Sequence, residues 1–433
     1  MIRSTPPDRS KAPEIHQPTD IQLPELHDLT LDNGIRVSVL NQPDMEIHRL
    51  TVFTEGGLAE AGNPAIALLD SQLLLEGTLA TDGQSLANML DFNGAWTNSR
   101  CGNHHRSFAI YNLPSRRSKL LPTIIEILTQ PAFPADRLAK WRERLIASTA
   151  IEQRTVGYQA SLLSNRLTIG SGHPLSQPAD PGHIAAVERD DILNFHKKNH
   201  HPRHMRIFIT GSVSTQHEEE LNRYFGSIPV PDGEEPSAMI QPFDINTGGR
   251  GFKAVDGALQ SAVCATLGGV GRNHPDYAAL RLTVNSLGGY FGSRLSTNIR
   301  ERLGLTYGIN ASLLGYAEGS LIRISTECDN ASRDLVVEEI GAEMRRLASD
   351  PPGSDEMERI CMTEYSSLLD IMETPFTVSD FYQSLHVNGV TADYFYQRLE
   401  AARTMTSERI AEIAGIYLRP ELMTVAVAGP ENQ

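Results

Sequence analysis

The sequence lacks the features by which several classes of protein are recognised. It has only four cysteines, and they stand too far apart to form the Cys-x-x-Cys pair of a structural zinc or redox site. We expect them to be buried thiols; they are Cys101, Cys264, Cys328 and Cys361. No run approaches the roughly 18 to 20 apolar residues of a membrane span. The chain starts with a polar, proline-rich segment rather than a secretory signal, so we expect it to be cytoplasmic.

Basic residues are also in short supply. The 38 Lys and Arg residues stand against 53 Asp and Glu residues, which gives a formal net charge of −15. A nucleic-acid-binding protein neutralises phosphate with a basic surface, so this charge excludes a generic nucleic-acid binder and disfavours anionic membranes. The 433 residues leave room for about two to four domains.

The order of predicted elements indicates two copies of one sheet-and-helix unit. Residues 24–227 form the first unit, and residues 250–433 repeat its order of strand and helix patterns. Residues 228–249, rich in Pro, Gly and acidic side chains, are typical of a linker, and residues 1–23 predict an extended N-terminal arm. Strands and helices are interleaved irregularly. We therefore expect an α+β fold of two homologous domains, each a mixed β-sheet with helices packed on one face.

Several segments resemble a known family of enzymes. They are, in order, LDNGIRVSVL, EGGLAE, PAIALLDSQLLLEGT, LDFNGAWTN and HPLSQP in the first half, and GGYFGSRLSTNIRERLGLTYGINA in the second. This order is similar to that of the pitrilysin/insulinase-type zinc peptidases, which include the processing peptidases. The resemblance implies that the two domains are arranged as a clamshell, and that the family chemistry is peptide hydrolysis.

The zinc motif of that family is missing. The family carries His-x-x-Glu-His on the helix before Glu-Gly-Thr, where two histidines bind zinc and the glutamate activates a zinc-bound water. In this sequence those three positions hold Leu68, Ser71 and Gln72, none of which supplies a zinc ligand. The resemblance therefore implies that this chain holds no metal at the family site, and that zinc is to be expected in a partner subunit.

Residues outside the motif do not restore a metal site. The distal glutamate ligand of the family is expected at Thr149 or Ala150, and the closest carboxylate belongs to Glu152. His104 and His105 are adjacent on a predicted strand, so their side chains point to opposite faces and cannot chelate one ion together.

Two other clusters imitate ligand sites. His200 and His204 have the spacing of a helical metal pair, but Pro202 lies between them, which predicts a solvated turn that also contains His201. A glycine cluster imitates a phosphate-binding loop but follows a predicted helix rather than a strand, which indicates a connection between helices. It consists of Gly288, Gly289 and Gly292.

One residue pair of the family is retained. Arg300 and Tyr307 match the arginine and tyrosine that family members place opposite the zinc. The resemblance implies that they hydrogen-bond the substrate backbone and stabilise the oxyanion on the scissile carbonyl, which suits a permanent cation and a phenol. The alternative is that Arg300 pairs with a neighbouring carboxylate and that Tyr307 packs at the start of a strand.

Loss of the metal motif with retention of this pair suggests a non-zinc subunit of a heteromeric metallopeptidase. Its partner would carry His-x-x-Glu-His and the zinc, as in the two-chain members of the family. Its substrate would be a peptide, gripped by edge-strand addition and by the Arg/Tyr pair. The alternative is a catalytically inactive homodimer that acts as a binding or scaffold protein, with a second copy of the chain as its partner. An active enzyme with a relocated metal site is a third, less favoured hypothesis.

Overall fold

A computed structural model describes residues 9–10, 21–231, 240 and 242–431. In this part the chain forms two separate β-sheets of six and five strands. Both sheets mix parallel and antiparallel pairs and carry helices. The predicted α+β class with two similar units is confirmed. No helix of the described ranges is long and apolar enough to cross a membrane.

The first half supplies the six-stranded sheet and eight helices of the described chain. Its strands are β1 (His27–Thr30), β2 (Arg36–Asn41), β3 (His48–Glu55), β4 (Trp96–Cys101), β5 (His105–Asn112) and β6 (Met205–Gly211). Its helices are α1 (Pro64–Leu73), α2 (Gly83–Phe92), α3 (Arg117–Thr129), α4 (Ala135–Glu152), α5 (Val156–Ile169), α6 (Pro181–Ala185), α7 (Arg189–Asn199) and α8 (Thr215–Tyr224).

The second half supplies the five-stranded sheet. Its strands are β7 (Arg250–Ala254), β8 (Gln260–Gly268), β9 (Thr306–Tyr316), β10 (Gly319–Asp329) and β11 (Thr424–Gly429). Its helices are α9 (Tyr277–Gly288), a π-helix (Ser296–Arg302), α10 (Arg333–Ser349), α11 (Ser354–Ile371), α12 (Pro375–Val387), α13 (Asp393–Thr404) and α14 (Ser407–Tyr417).

The two sheets share one topology. The strand order is β1-β2-β6-β3-β5-β4 in the first and β7-β11-β8-β10-β9 in the second. In each, the last strand of the half pairs in parallel with an early strand and antiparallel with the strand that precedes the first long helix. Without β1, the two orders correspond strand for strand. The internal repeat predicted from the sequence is therefore present, and β4 and β9 are equivalent edge strands.

Each sheet packs on two sides. One face carries a core formed with helices of the same half, because alternate strand residues point to it. The other face is covered by a helix from the opposite half: α5 packs on β7, β8 and β11, and α12 packs on β6. The expectation of helices on one face only is therefore incomplete. The units meet like the halves of a clamshell, with α5 and α12 between their sheets.

The predicted arm and linker lie partly outside the described residues. The structure does not describe residues 1–8 and 11–20 of the arm, or residues 232–239 and 241 of the linker. At the end of the arm, Ile21 and Leu23 are buried in a cluster that includes side chains of α12 and α13. From residue 242 to 249 the linker is exposed or half-buried. Its Asn246 amide donates to the carbonyl of Thr168 at the end of α5 (2.7 Å).

The cysteines are only partly as expected. Cys264 and Cys328 are buried free thiols, whereas Cys101 and Cys361 are half-buried. Cys264 lies in the small core between α5 and the second sheet. Burial raises the pKa of the Cys101 thiol to about 12, so this half-buried group is unreactive at neutral pH.

Candidate functional site

Helix α1 carries the positions of the missing zinc motif. It begins at Pro64, whose absent N–H is not needed in the first turn, and Asn63 caps it by accepting from the Ala65 amide (3.0 Å). Along the helix, Leu68 is half-buried, Ser71 is buried and Gln72 is exposed. An alkyl chain, a hydroxyl and a carboxamide are not the imidazole and carboxylate groups that zinc takes. The donor set at these positions does not fit a zinc ion.

Helix α4 packs against α1 and carries the predicted distal position. Thr149 is buried, at 9 % exposure, whereas Ala150 is half-buried and Glu152 lies exposed at the last residue of α4. The carboxylate closest to these positions in the sequence is therefore exposed, whereas Thr149 is buried. Among the side chains that the structure describes, no group of three or more His, Cys, Asp or Glu residues could hold a metal ion.

A buried charge cluster anchors the inner side of α1. Asp70 is fully buried, and its two carboxylate oxygens contact Arg106 of β5 and Nδ1 of His196 of α7 (2.7 Å). The guanidinium also donates to the carbonyl of Gly56 (2.9 Å), and Nε2 of His196 lies 2.8 Å from the carbonyl of Leu128. Burial alone would raise the pKa of Asp70, but the charges of Arg106 and His196 outweigh it and hold that pKa below its ordinary value.

Sequence reasoning did not identify this cluster, although Asp70 lies inside the motif region. One signal was available: a carboxylate among the apolar residues of α1 needs a buried cation. The partners of Asp70, Arg106 and His196, lie 36 and 126 residues further along the chain. No local sequence pattern reveals contacts over such distances. The cluster ties α1 to β5 and α7 by charge.

The two adjacent histidines point in different directions, as predicted, but only His105 lies on a strand, because β5 begins at His105 and His104 lies in the turn before it. The ring of His105 contacts that of His386 of α12, with centroids 5.6 Å apart. His104 instead lies between two carboxylates, with Nδ1 2.5 Å from Glu60 and Nε2 2.6 Å from Glu318. Glu60 lies in the loop after β3, whereas Glu318 lies in the β9–β10 turn of the other half.

The second histidine cluster is a turn, but the prediction that it is solvated is wrong. Pro202–His204 form one short 3₁₀ turn. His201 is buried, His200 stacks on His196 with ring centroids 3.7 Å apart, and Nδ1 of His204 lies 2.7 Å from a carboxylate oxygen of Glu55. The reason is topological. The turn leads directly from α7 into β6, an inner strand of the sheet, so it is enclosed by neighbouring elements.

The glycine cluster is structural, as predicted. Gly288 is the last residue of α9, and a Cβ placed on it would lie 2.7 Å from the Cβ of Ala311 in β9. The helix therefore approaches the sheet too closely for a side chain at this point. The segment connects α9 to the π-helix, which agrees with the predicted helix-to-helix connection.

Arg300 and Tyr307 lie on neighbouring elements of the second half. Arg300, in the π-helix, donates to Glu301 (2.7 Å), and its guanidinium carbon lies 3.5 Å from the ring centroid of Phe291. Tyr307 is the second residue of the edge strand β9 and is 96 % exposed. Arg300 thus pairs with a neighbouring carboxylate, as the alternative interpretation expected. Tyr307 does not pack against the start of its strand, so for this residue the alternative is not found. Its phenol is open to whatever approaches this edge.

The equivalent edge strand of the first half is also open. β4 begins at Trp96, which is 63 % exposed and stacks on Tyr111 with centroids 4.7 Å apart. An edge strand presents backbone N–H and C=O groups that can pair with another extended chain. Each half of the protein therefore presents an edge strand with an exposed aromatic residue near its start.

Fold and site together define a two-unit peptidase-like protein whose motif positions carry no zinc ligands. Residues 186–363 match the family model described as the Peptidase M16 inactive domain. The chain is similar to the pitrilysin-type (M16) peptidases, as the segments of its sequence indicated.

Individual relatives agree with this assignment. A protein of Rickettsia bellii described as an uncharacterized zinc protease is 23 % identical over 76 % of this chain and 79 % of its own length. The probable mitochondrial-processing peptidase subunit beta of Schizosaccharomyces pombe is 24 % identical over 64 % of each chain. The crystal structure of a peptidase M16 inactive domain from Pseudomonas fluorescens has the same fold, with a TM-score of 0.84, 21 % identity and coverage of 94 % and 98 % of the two chains.

Proposed function

We propose that this chain is the non-zinc subunit of a heteromeric metallopeptidase and contributes Arg300 and Tyr307 to a site completed by a zinc-bearing subunit of the same family. One observation carries the proposal: the positions of the zinc motif carry Leu68, Ser71 and Gln72, while the side chain of Tyr307 is 96 % exposed at an edge strand. Its hydroxyl lies on an edge strand with which an extended chain can pair, which favours a role in contact with a partner or substrate.

The chemistry of the pair suits peptide hydrolysis. When held by the partner, zinc would supply the activated water. The guanidinium of Arg300 has five N–H donors and uses one for Glu301. The remaining donors and the Tyr307 hydroxyl can hydrogen-bond a peptide carbonyl and the oxyanion that develops on it. An extended peptide would add to the β4 or β9 edge, which suits a substrate read through its backbone.

Reconstitution tests the proposal. The chain is mixed with a family member from the same genome that has an intact His-x-x-Glu-His motif, and the mixture is separated by size-exclusion chromatography. We expect a complex with about one zinc per pair of chains, hydrolysis of unfolded peptides that a chelator abolishes, and no stoichiometric zinc in this chain alone. Two results would contradict it. A zinc-free homodimer that ignores such partners favours the scaffold alternative, and one zinc per chain, lost on replacing His104 or His204, favours a relocated metal site.

A further inference from the structure

We propose that His104 is a clamp that ties the β9–β10 turn of the second half to the first half, and that the clamp is released when the imidazolium loses its proton. Nδ1 lies 2.5 Å from an oxygen of Glu60, in the first half, and Nε2 lies 2.6 Å from an oxygen of Glu318, in the second. Ionised carboxylates only accept hydrogen bonds, and the lowered pKa values of Glu60 and Glu318 keep both ionised at neutral pH. Both contacts are satisfied together only when both ring nitrogens carry hydrogen, which is the charged form.

The first-half side of the clamp is rigid. The loop that carries Glu60 is bonded to the turn that carries His104, because the amides of Leu58 and Ala59 donate to the carbonyls of Gly102 and Asn103 (3.0 and 2.9 Å). The second oxygen of Glu60 accepts from the amide of Gly57 (2.8 Å). Glu60 and His104 therefore move as one unit, ready to accept a carboxylate from the other half.

The second-half side depends on His104. Glu318 is 7 % exposed, and its Oε2 has no hydrogen-bond partner in the part of the chain that the structure describes. His104 is therefore the main group that compensates for the buried charge of this carboxylate. The backbone carbonyl of Glu318 accepts from Phe243 at 3.2 Å, so the same turn also holds the end of the segment that joins the halves.

The charges around the ring favour the protonated form. The hydrogen bonds of Glu318 and Glu60 raise the pKa of His104 to about 9, against a smaller opposing effect of burial. The same contacts lower the pKa of each glutamate in spite of burial.

Four other titratable groups face this site. Burial lowers the pKa of His105 and His173, so both rings are neutral at neutral pH. Burial raises the pKa of Cys101 and of Tyr316, so both of these groups stay protonated and uncharged at neutral pH.

The direction of the pH dependence follows from these values. The pKa of His104 is higher in the clamped state than the ordinary 6.5 of a free ring. Its contribution is therefore complete below about pH 6.5 and is lost as pH rises through about 9. On the acid side the clamp weakens as pH falls through the lowered pKa of Glu60 and Glu318. Release would free the β9–β10 turn from the first half.

Hydrogen exchange of the β9–β10 turn tests the clamp in this chain alone, independently of any peptidase activity. Protection factors, corrected for the intrinsic rate at each pH, are measured for residues 313–322 at pH 6 and pH 9.5. If opening is governed by one proton with pKa values of about 9 and 6.5, protection in the unmodified chain should fall about 100-fold across this range. In His104→Gln it should already be low at pH 6 and almost independent of pH.

The matched control is His183→Gln. His183 also lies in the first half, and its ring is half-exposed. Its carboxylate contact is with Asp180, three residues earlier in the same half (3.5 Å), so replacing it should leave the β9–β10 turn unchanged. If His104→Gln does not fold, Glu318→Gln keeps the shape of the turn, removes one charge and should give the same loss of protection at pH 6. If His104→Gln or Glu318→Gln folds and residues 313–322 keep both their protection at pH 6 and its fall at pH 9.5, the proposal is overturned.

Discussion

The guanidinium of Arg300 lies over the ring of Phe291, with its central carbon 3.5 Å from the ring centroid. Phe291 is itself 72 % exposed, so the ring contributes little to the core. A cation over an aromatic face is attracted by the quadrupole of the ring. With Glu301 bonded to one N–H group, the stack restricts the orientation of the guanidinium. Phe291 is thus a positioning residue for Arg300.

Replacing Phe291 with Ala should therefore weaken substrate capture and leave the fold intact. An exposed cation–π contact contributes about 0.5 to 1 kcal/mol, so we expect kcat/KM of a reconstituted complex to fall about two- to fivefold. The thermal unfolding midpoint of the chain should be unchanged. Phe92→Ala is the control, since Phe92 is 81 % exposed at the end of α2 and contacts neither Arg300 nor Tyr307. Equal kcat/KM for the two variants would show that the stack does not position Arg300.

The Asp70 cluster should be among the most sensitive positions of the fold. Asp70→Asn removes the carboxylate and leaves Arg106 buried without its charge partner, which typically costs about 3 to 5 kcal/mol. Chemical denaturation measures the loss. Asp28→Asn is the matched control, because Asp28 pairs with Arg206 on the surface at 64 % side-chain exposure and should cost at most about 1 kcal/mol.

The same cluster permits a second comparison. Replacing both charges with apolar groups, in Asp70→Leu with Arg106→Met, should be less destabilising than Asp70→Asn alone, because no uncompensated charge remains. The stability from Asp70 should also fade at acid pH, as pH falls through its lowered pKa. If Asp70→Asn is as stable as the unmodified chain, Asp70 and Arg106 do not form a fixed ion pair.

Gly288→Ala tests the close approach of α9 to β9. An added Cβ would meet Ala311 at 2.7 Å, so the helix or the strand has to shift. Overpacking of this kind typically costs about 1 to 3 kcal/mol. Gly271→Ala is the control, since no atom lies within 4 Å of a Cβ at that position. If both variants unfold at the same denaturant concentration, Gly288 is not required for packing.

The fold class was predictable because hydrophobic periodicity reports which face of an element is buried, and the pattern repeats in the two halves. The same periodicity does not report what covers the face. It therefore could not show that α5 packs on the opposite sheet, or that α12, which the sequence pattern left unassigned, packs on β6. Both packings depend on contacts between distant parts of the chain.

The candidate site divides in the same way. The motif positions Leu68, Ser71 and Gln72 could be located by counting along one helix. The enclosure of His200 and the charge pair of Asp70 could not. The first depends on the turn between α7 and β6, and the second on the meeting of α1, β5 and α7. His104 shows the limit most clearly. That it points away from His105 was predictable, but its second carboxylate lies 214 residues away in the other half.

Turnover of the reconstituted complex is the measurement that tests the central claim most directly. Arg300→Ala and Tyr307→Phe are introduced into this chain, and kcat is measured with the zinc-bearing partner unchanged. Loss of one oxyanion donor typically lowers kcat by about 10²- to 10³-fold. We expect losses on that scale for each variant, with unchanged partner association and an unchanged melting temperature for Tyr307→Phe, whose side chain is 96 % exposed. Full turnover with both residues replaced would contradict the account and assign the pair to structure alone.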